Sequence, residues 1–329
     1  MIRKSPSITR LVPVVVAMTL MMFVTTALIV ASAQAPQGQP AGAPAAQGAQ
    51  RGAAPPPPPM AIAQVKPGLY VITGGGGNTT VRVTPVGLIV VDTKNRGDNF
   101  YNELMKLIKG VSNQPVKYVV ITHHHQDHSG NTTNFVNAGA VVIAHENEKL
   151  ALATYNPPAG KPGSPQTTYA KRFTIRLGGV EARVYHWGGA HTTGDSIVYW
   201  PDLQVVSGGD AIVATAPGPD YAGANKASLV EWRETLDEVA KLKFDTVIPG
   251  HSAPAPSSIT MTRAEFDTFR KNTNTLVARA MELVRKGTPK EQLLAQIKTD
   301  DLGPAWNVNT AAWVARLDNF YADLRSAKK

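Results

Sequence analysis

The segment 123–128 reads HHHQDH and places four of the chain's eight histidines, with one aspartate, inside six positions. In an extended or turning backbone, residues two apart point the same way. His123 and His125 can therefore hold one ion, while Asp127 and His128, past the turn, address a second position. Three more polar clusters follow apolar runs: GGAHTTGDS at 188–196, SGGDA at 207–211 and PGHS at 249–252. If the preceding strands share a sheet system and end on one side, these groups converge. His191 then completes the first site, His251 completes the second, and Asp210 can place one carboxylate oxygen on each ion. Imidazole with carboxylate and no thiolate suits two Zn2+, with Mn or Fe as alternatives. Two ions about 3.5–4 Å apart lower the pKa of a bridging water towards neutrality and polarise a substrate carbonyl.

Taken alone, HHHQDH also fits a solvated polar loop or a casual metal-binding tract; His191, Asp210 and His251 in sequence argue against that. His124 is the odd member of the triplet and should point away from both ions. His145 and His186 read as satisfied structural histidines. Asp195 follows His191 closely and either holds the loop or stands behind the ligands. The run Gly74 to Gly77 lacks the Lys-Ser/Thr ending of a phosphate cradle and reads as a flexible turn bordering the cleft. Tyr221, in a Pro/Gly-rich loop after Asp210, is a weaker candidate for substrate contact.

The elements that must position these groups are legible from periodicity. Strands are expected at 69–74, in TTVRVTP and GLIVVDT, at 117–123 and at 140–146. A helix is expected over 99–109. Residues 154–169 have no periodicity and form a long loop of the kind used as lids or binding loops. FTIRLGG and VEARVYHW pair as a hairpin, and SIVYWPDLQVVSGGD gives two strands. An amphipathic helix covers 226–243, a short strand ends at His251, and helices follow over 262–286, 289–299 and 309–327.

With 329 residues, 43% of them hydrophobic, the chain can bury one large core or two small ones. It has no cysteine, which removes disulfides, thiolate ligands and cysteine nucleophiles together. The net charge is +9, but three of those charges, Arg3, Lys4 and Arg10, precede the apolar run 11–31. With Ala31-Ser32-Ala33 after it, residues 1–33 read as a signal peptide, or as an uncleaved membrane anchor. The body is then exported, periplasmic or secreted. Residues 34–59, Pro/Ala/Gly-rich and ending in five prolines, form a disordered linker. The folded domain, 60–329, includes the C-terminal helices. No basic run with interleaved aromatics appears, so a nucleic-acid partner is not expected.

The His-x-His-x-Asp-His arrangement of His123, His125, Asp127 and His128 resembles the signature of the metallo-β-lactamase superfamily. His191 in GAHTTGD, Asp210 in SGGDA and His251 in PGHS match that family's downstream metal ligands, and Asp92 ending VVDT matches an aspartate beside the metals; a capping role is the alternative for Asp92. The resemblance spans about residues 65–255. It implies an α/β, four-layer αββα sandwich with the site at one edge. Asp210 departs from the β-lactamase branch that carries cysteine there and is similar to the glyoxalase II and lactonase branches. The expected activity is a dinuclear hydrolase attacking an ester, thioester, lactone or amide carbonyl of a small molecule with a metal-bridging hydroxide. Asp127, besides ligation, orients that water or accepts its proton. The alternatives are a periplasmic β-lactamase, a nuclease or phosphodiesterase of the same fold, and a non-catalytic metal-binding module. Neither the substrate nor the oligomeric state follows from the sequence.

Overall fold

A computed structural model describes residues 59–221, 227–252 and 259–327. The expected signal segment 1–33, and all of the expected linker but its last proline, lie outside these residues. The first sheet contains seven strands in chain order: β1 (Ala61–Lys66), β2 (Leu69–Thr73), β3 (Thr79–Thr84), β4 (Gly87–Val91), β5 (Val116–Val120), β6 (Val141–His145) and β7 (Thr167–Tyr169). β1 to β4 are antiparallel neighbours, whereas β4 to β7 run parallel. Parallel pairs need crossovers. These are α1 (Asp98–Lys109), then α2 (Gln126–Ser129) with α3 (Thr132–Asn137), then α4 (Glu146–Thr154).

The second sheet contains β8 (Arg172–Leu177), β9 (Val180–Tyr185), β10 (Ile197–Trp200), β11 (Val205–Ser207), β12 (Thr246–Ile248) and β13 (Met261–Thr262). Only β11 and β12 are parallel, and α5 (Leu229–Ala240) connects them. Among the described residues four α-helices follow, α6 (Arg263–Arg285), α7 (Lys290–Gln296), α8 (Ala311–Val314) and α9 (Leu317–Ser326), with two 3-10 turns, Asp300–Leu302 and Pro304–Trp306, between α7 and α8. Ser228 caps α5 by accepting from the Glu231 amide, and Thr262 with Glu265 forms a capping box on α6. Such caps are worth about 1 kcal/mol each.

Strand alternation explains the layering. In β4, Ile89 and Val91 enter a core shared with Ile175, Val184 and Trp200 of the second sheet. Leu88 and Val90 face the other way, onto Leu104 and Ile108 of α1 and Phe135 of α3. On the second sheet, Ile197, Tyr199 and Val206 turn outward onto Trp232, Leu236, Phe266 and Leu276. Helices thus cover the outer face of each sheet, giving the expected αββα sandwich.

Three local expectations change. Residues 167–169 of the expected loop form β7, where Thr167 pairs with Ile143, in keeping with the strand preference of threonine and tyrosine. The helix expected over 226–243 begins after its Ser228 cap. The single helix expected at 309–327 is two, α8 and α9, parted where Arg316 extends its guanidinium to Pro219 O (2.9 Å) and Ala312 O (2.8 Å). The parallel pairs β4–β5 and β11–β12 end where Asp92, the histidine segment, Asp210 and His251 follow in the chain.

Candidate metal centre

Beyond β5 the chain leaves the sheet, and His125 occupies the position just before α2. His123 Nε2 lies 3.1 Å from His125 Nδ1, and His191 Nε2 lies 3.0 Å from the same atom. The far nitrogen of each ring is engaged elsewhere. His125 Nε2 is 2.6 Å from Asp220 Oδ2, and His191 Nδ1 is 2.6 Å from Gly218 O. These oxygens only accept, so both nitrogens carry protons. Thr122 Oγ1 donates to Asp92 Oδ2 (2.8 Å), leaving its oxygen to accept from His123 Nδ1 at 3.1 Å. All three rings then present lone pairs to one point. Three converging lone pairs with no shared proton repel one another unless a cation lies among them, and imidazoles fixed from behind are the usual ligands for one.

A second group comprises Asp127, His128 and His251. His128 Nδ1 donates to Asp92 Oδ2 at 2.8 Å. Its Nε2 faces His251 Nε2 at 3.2 Å and Asp127 Oδ2 at 3.5 Å, and His251 Nε2 is 3.1 Å from Asp127 Oδ2. Asp210 stands between the groups. Its Oδ2 is 3.5 Å from both His191 Nε2 and His251 Nε2, and its Oδ1 is 3.2 Å from His128 Nε2, so one oxygen faces both groups instead of the expected one oxygen for each. That Oδ1 is buried and accepts no hydrogen bond. A buried unsatisfied acceptor costs about 1–3 kcal/mol, more when charged. The donor set, three imidazoles on one side and two imidazoles with carboxylates on the other, fits two divalent cations.

Charge follows the same division. Burial, with the neighbouring histidines, pushes His123 well below its usual range, and burial takes His191 down to about 4. For His128 burial works the same way, but Asp210, Asp127 and Asp92 outweigh it and raise the pKa. Burial favours a neutral Asp127, yet His128 and the His251 contact hold its carboxyl at about 2.

Two glycines make room for the ligands. A methyl group at Gly77 would overlap the His128 imidazole, and one at Gly250 would overlap Asp210 Oδ1. Gly77 N donates to Asp127 O at 3.0 Å, and Asn78 N to Gly250 O at 2.7 Å. Beneath them the fully buried Lys94 donates to Ile72 O (2.6 Å) and Gly77 O (2.7 Å); burial brings its pKa down to about 7. Residues 74–77 border the site as expected, but as a packed wall, because Lys94 and the backbone bonds leave the run no slack.

Asp195 holds the His191 loop: its Oδ2 accepts from Thr192 N (2.7 Å) and Ala190 N (3.2 Å). Burial, then the nearby Glu148, pushes its carboxyl up to about 8. His124 turns away from both groups, with Nδ1 3.0 Å from Glu148 Oε2 and both side chains fully buried. His145 and His186 stack at 3.6 Å outside the two groups. Tyr221 donates to Asp323 Oδ2 at 3.3 Å, towards α9 instead of substrate. Three groups escape a sequence reading. Asp220 sits in an aperiodic loop, Glu148 falls between the expected strand 140–146 and the expected loop where the sequence marks no element, and Tyr155 lies at the edge of that loop. Tyr155 Oη accepts from Gln126 N at 3.2 Å, and burial raises its pKa. A cavity of about 500 Å3, lined in part by Val213, Ala214, Met261, Phe269 and Trp306, adjoins the segment after Asp210, where Ala214 N donates to His251 O at 3.3 Å.

Comparison with known proteins adds to this geometry. A family model described as the metallo-beta-lactamase superfamily matches residues 72–251. The alpha subunit of 2,4-dinitroanisole O-demethylase from Nocardioides sp. (strain JS1661) is 24% identical over 230 residues, 70% of this chain and 67% of that protein. The metallo-beta-lactamase IND-1 of Chryseobacterium indologenes is 30% identical over 184 residues, 53% of this chain and 71% of that protein. A solved metallo-beta-lactamase from Pontibacter korlensis shares the fold with a TM-score of 0.53 at 22% identity, over 65% of this chain and 99% of that one.

Proposed function

The chain belongs to the metallo-beta-lactamase superfamily as a metallohydrolase of that fold, and from that premise we propose an exported dinuclear enzyme that hydrolyses the carbonyl of a small ester, thioester, lactone or amide. The observation that carries the two-ion reading is Asp210, whose Oδ2 lies 3.5 Å from a histidine of each ligand group while Oδ1 turns to His128. His123, His125 and His191 would hold one ion, Asp127, His128 and His251 the other, and Asp210 both. Zinc suits this donor set, with manganese or iron as alternatives. When bound, such ions supply Lewis acidity and lower the pKa of a shared water.

The chain's own residues do the rest. Asp220, Gly218 O and Asp92 fix the ring tautomers from behind. Asp127, held ionised by His128 and His251, would orient the attacking water and, as too weak a base to keep its proton, relay it to the leaving group. The cavity beside Val213, lined by Met261, Phe269 and Trp306 together with polar Glu265, Thr268 and Asn272, would offer room for part of a substrate. No separate serine or cysteine nucleophile is assigned.

The test is hydrolysis of an ester, thioester, lactone and amide panel by the full chain and by His191→Ala, each with its metal content measured. Equal behaviour of the two proteins refutes the site. A second reading, β-lactam hydrolysis, is favoured by the 30% identity to the Chryseobacterium lactamase. Turnover of a chromogenic cephalosporin in preference to the panel would select it, whereas an aspartate at 210 supports the ester and lactone reading. Export is supported by Arg3, Lys4 and Arg10 ahead of the apolar run and by Ala31-Ser32-Ala33. No helix among the described residues is long and apolar enough to cross a membrane. Mass determination of the mature N-terminus reads the cleavage directly.

A further inference from the structure

We propose that Tyr155 is a catalytic residue, its hydroxyl donating a hydrogen bond to the substrate oxygen on which negative charge builds when the carbonyl is attacked. This rests on the hydrolase reading above and adds a group that the ligand motifs do not contain.

The placement of Tyr155 is specific. It follows the last residue of α4, with its amide still bonded to Ala151 O at 2.9 Å, and its extended backbone (φ −66, ψ 122) takes the chain away from the helix axis. The ring meets the His124 imidazole edge-on at 5.0 Å and lies 6.1 Å from that of His125, a ligand of the first group. The phenol oxygen accepts from Gln126 N, the amide between His125 and Asp127. That bond uses one lone pair and fixes the position of the oxygen. It does not use the proton, which the half-exposed hydroxyl can give to solvent or to a bound oxygen. A hydroxyl held in this way is a donor waiting for an oxygen. It is half-buried beside the ligand segment, where an incoming substrate oxygen can take the place of solvent as its acceptor.

The chemistry of the proposed reaction supplies such an oxygen. As the water oxygen bonds to the carbonyl carbon, the water's proton passes to the Asp127 carboxylate and the C=O π pair moves onto the carbonyl oxygen. When the tetrahedral species collapses, that pair returns, the bond to the leaving group breaks, and the leaving group takes the proton back from Asp127, which regenerates the carboxylate. A fixed donor is worth most to the charged species and little to the ground-state ester, so its effect falls on kcat more than on KM. The competing role for Tyr155 is support: its oxygen could simply pin α2, and with it Asp127 and His128.

Tyr155→Phe in the full chain separates these roles. The expected result is a fall in kcat of about 100-fold on the ester and lactone panel, with KM within a few-fold and the metal content equal to wild type. Activity within two-fold of wild type overturns the proposal, and so does metal lost in proportion to activity, which would make Tyr155 a prop for α2. If the wild-type protein turns over nothing, the hydrolase reading fails separately, and the donor is then read from benzoate binding to the metal-loaded protein. Wild type binding benzoate about 10-fold more tightly than Tyr155→Phe supports a hydroxyl aimed into the cleft; equal affinities overturn it.

Discussion

Asp220 Oδ2 lies 2.6 Å from His125 Nε2, so a loop residue 95 positions away fixes which nitrogen of a candidate ligand faces the centre. The same loop reaches His191 twice, through Gly218 O to Nδ1 at 2.6 Å and through Asp220 N to the His191 carbonyl at 2.9 Å. It is anchored in turn by Arg316, which donates to Pro219 O between α8 and α9. The C-terminal helices therefore help to aim two of the three imidazoles in the first group.

Replacing Asp220 by Ala should weaken metal binding by about 10–100-fold, the usual cost of losing the group behind a ligand. Arg316→Ala should produce a smaller loss of the same kind, because it loosens the loop and leaves the carboxylate in place. Competition with a chromophoric chelator reads both. Unchanged affinity in Asp220→Ala would mean that His125 needs no such partner.

Asp92 supports the second group. It accepts from His128 Nδ1, Thr122 N and Thr122 Oγ1, all at 2.8 Å. Asp92→Ala should lower the stoichiometry towards one ion by removing the orientation of His128, while the first group keeps its metal. Loss of both ions together would show that the groups do not load separately.

The glycine wall makes a steric prediction. Gly77→Ala and Gly250→Ala place a methyl group against His128 and Asp210, whereas Gly218 has nothing within 4 Å of such a methyl. The first two variants should lose metal and about 1–3 kcal/mol of stability, the range for overpacking. Gly218→Ala should match wild type in both. Denaturant midpoints alongside metal content settle it.

Asp195 sets a pH dependence. Burial and then Glu148 raise its carboxyl to about 8. An acid whose folded pKa exceeds its unfolded value keeps a proton that the unfolded chain releases, so its contribution becomes less favourable as pH rises from about 4 to about 8. The slope reaches roughly 1.4 kcal/mol per pH unit at its steepest. Asp195→Asn should remove this term. Its metal-free stability should gain on wild type between pH 5 and pH 8, as read by urea unfolding; parallel pH profiles would contradict the buried, protonated carboxyl.

How much of this was legible beforehand follows from the kind of signal each residue carries. Strands such as GLIVV announce themselves because both faces are buried, and the alternation of Ile89 and Val91 with Leu88 and Val90 needs only a strand between two layers. The ligand residues are legible because metal chemistry restricts their types and strand ends restrict their spacing. Asp220 carries neither signal, since PGPDYAG has no period and an aspartate in a loop is ordinary. Glu148 falls where the sequence marks no element and reads as an ordinary charged residue, and only its contacts with His124 and Thr192 show it buried. The glycine run looks flexible in sequence, and the Lys94 side chain beneath it, the His128 ring against it and the bond from Gly77 N to Asp127 O show it packed in place.

The most direct test of the two-ion hydrolase is its activity as zinc is titrated into metal-free protein, using the most reactive ester or lactone of the panel. Asp210 between two ligand groups predicts that the rate climbs until two equivalents per chain are bound, and that Asp210→Ala never reaches the wild-type plateau. A rate that is complete at one equivalent, or that is independent of added metal, would contradict the account.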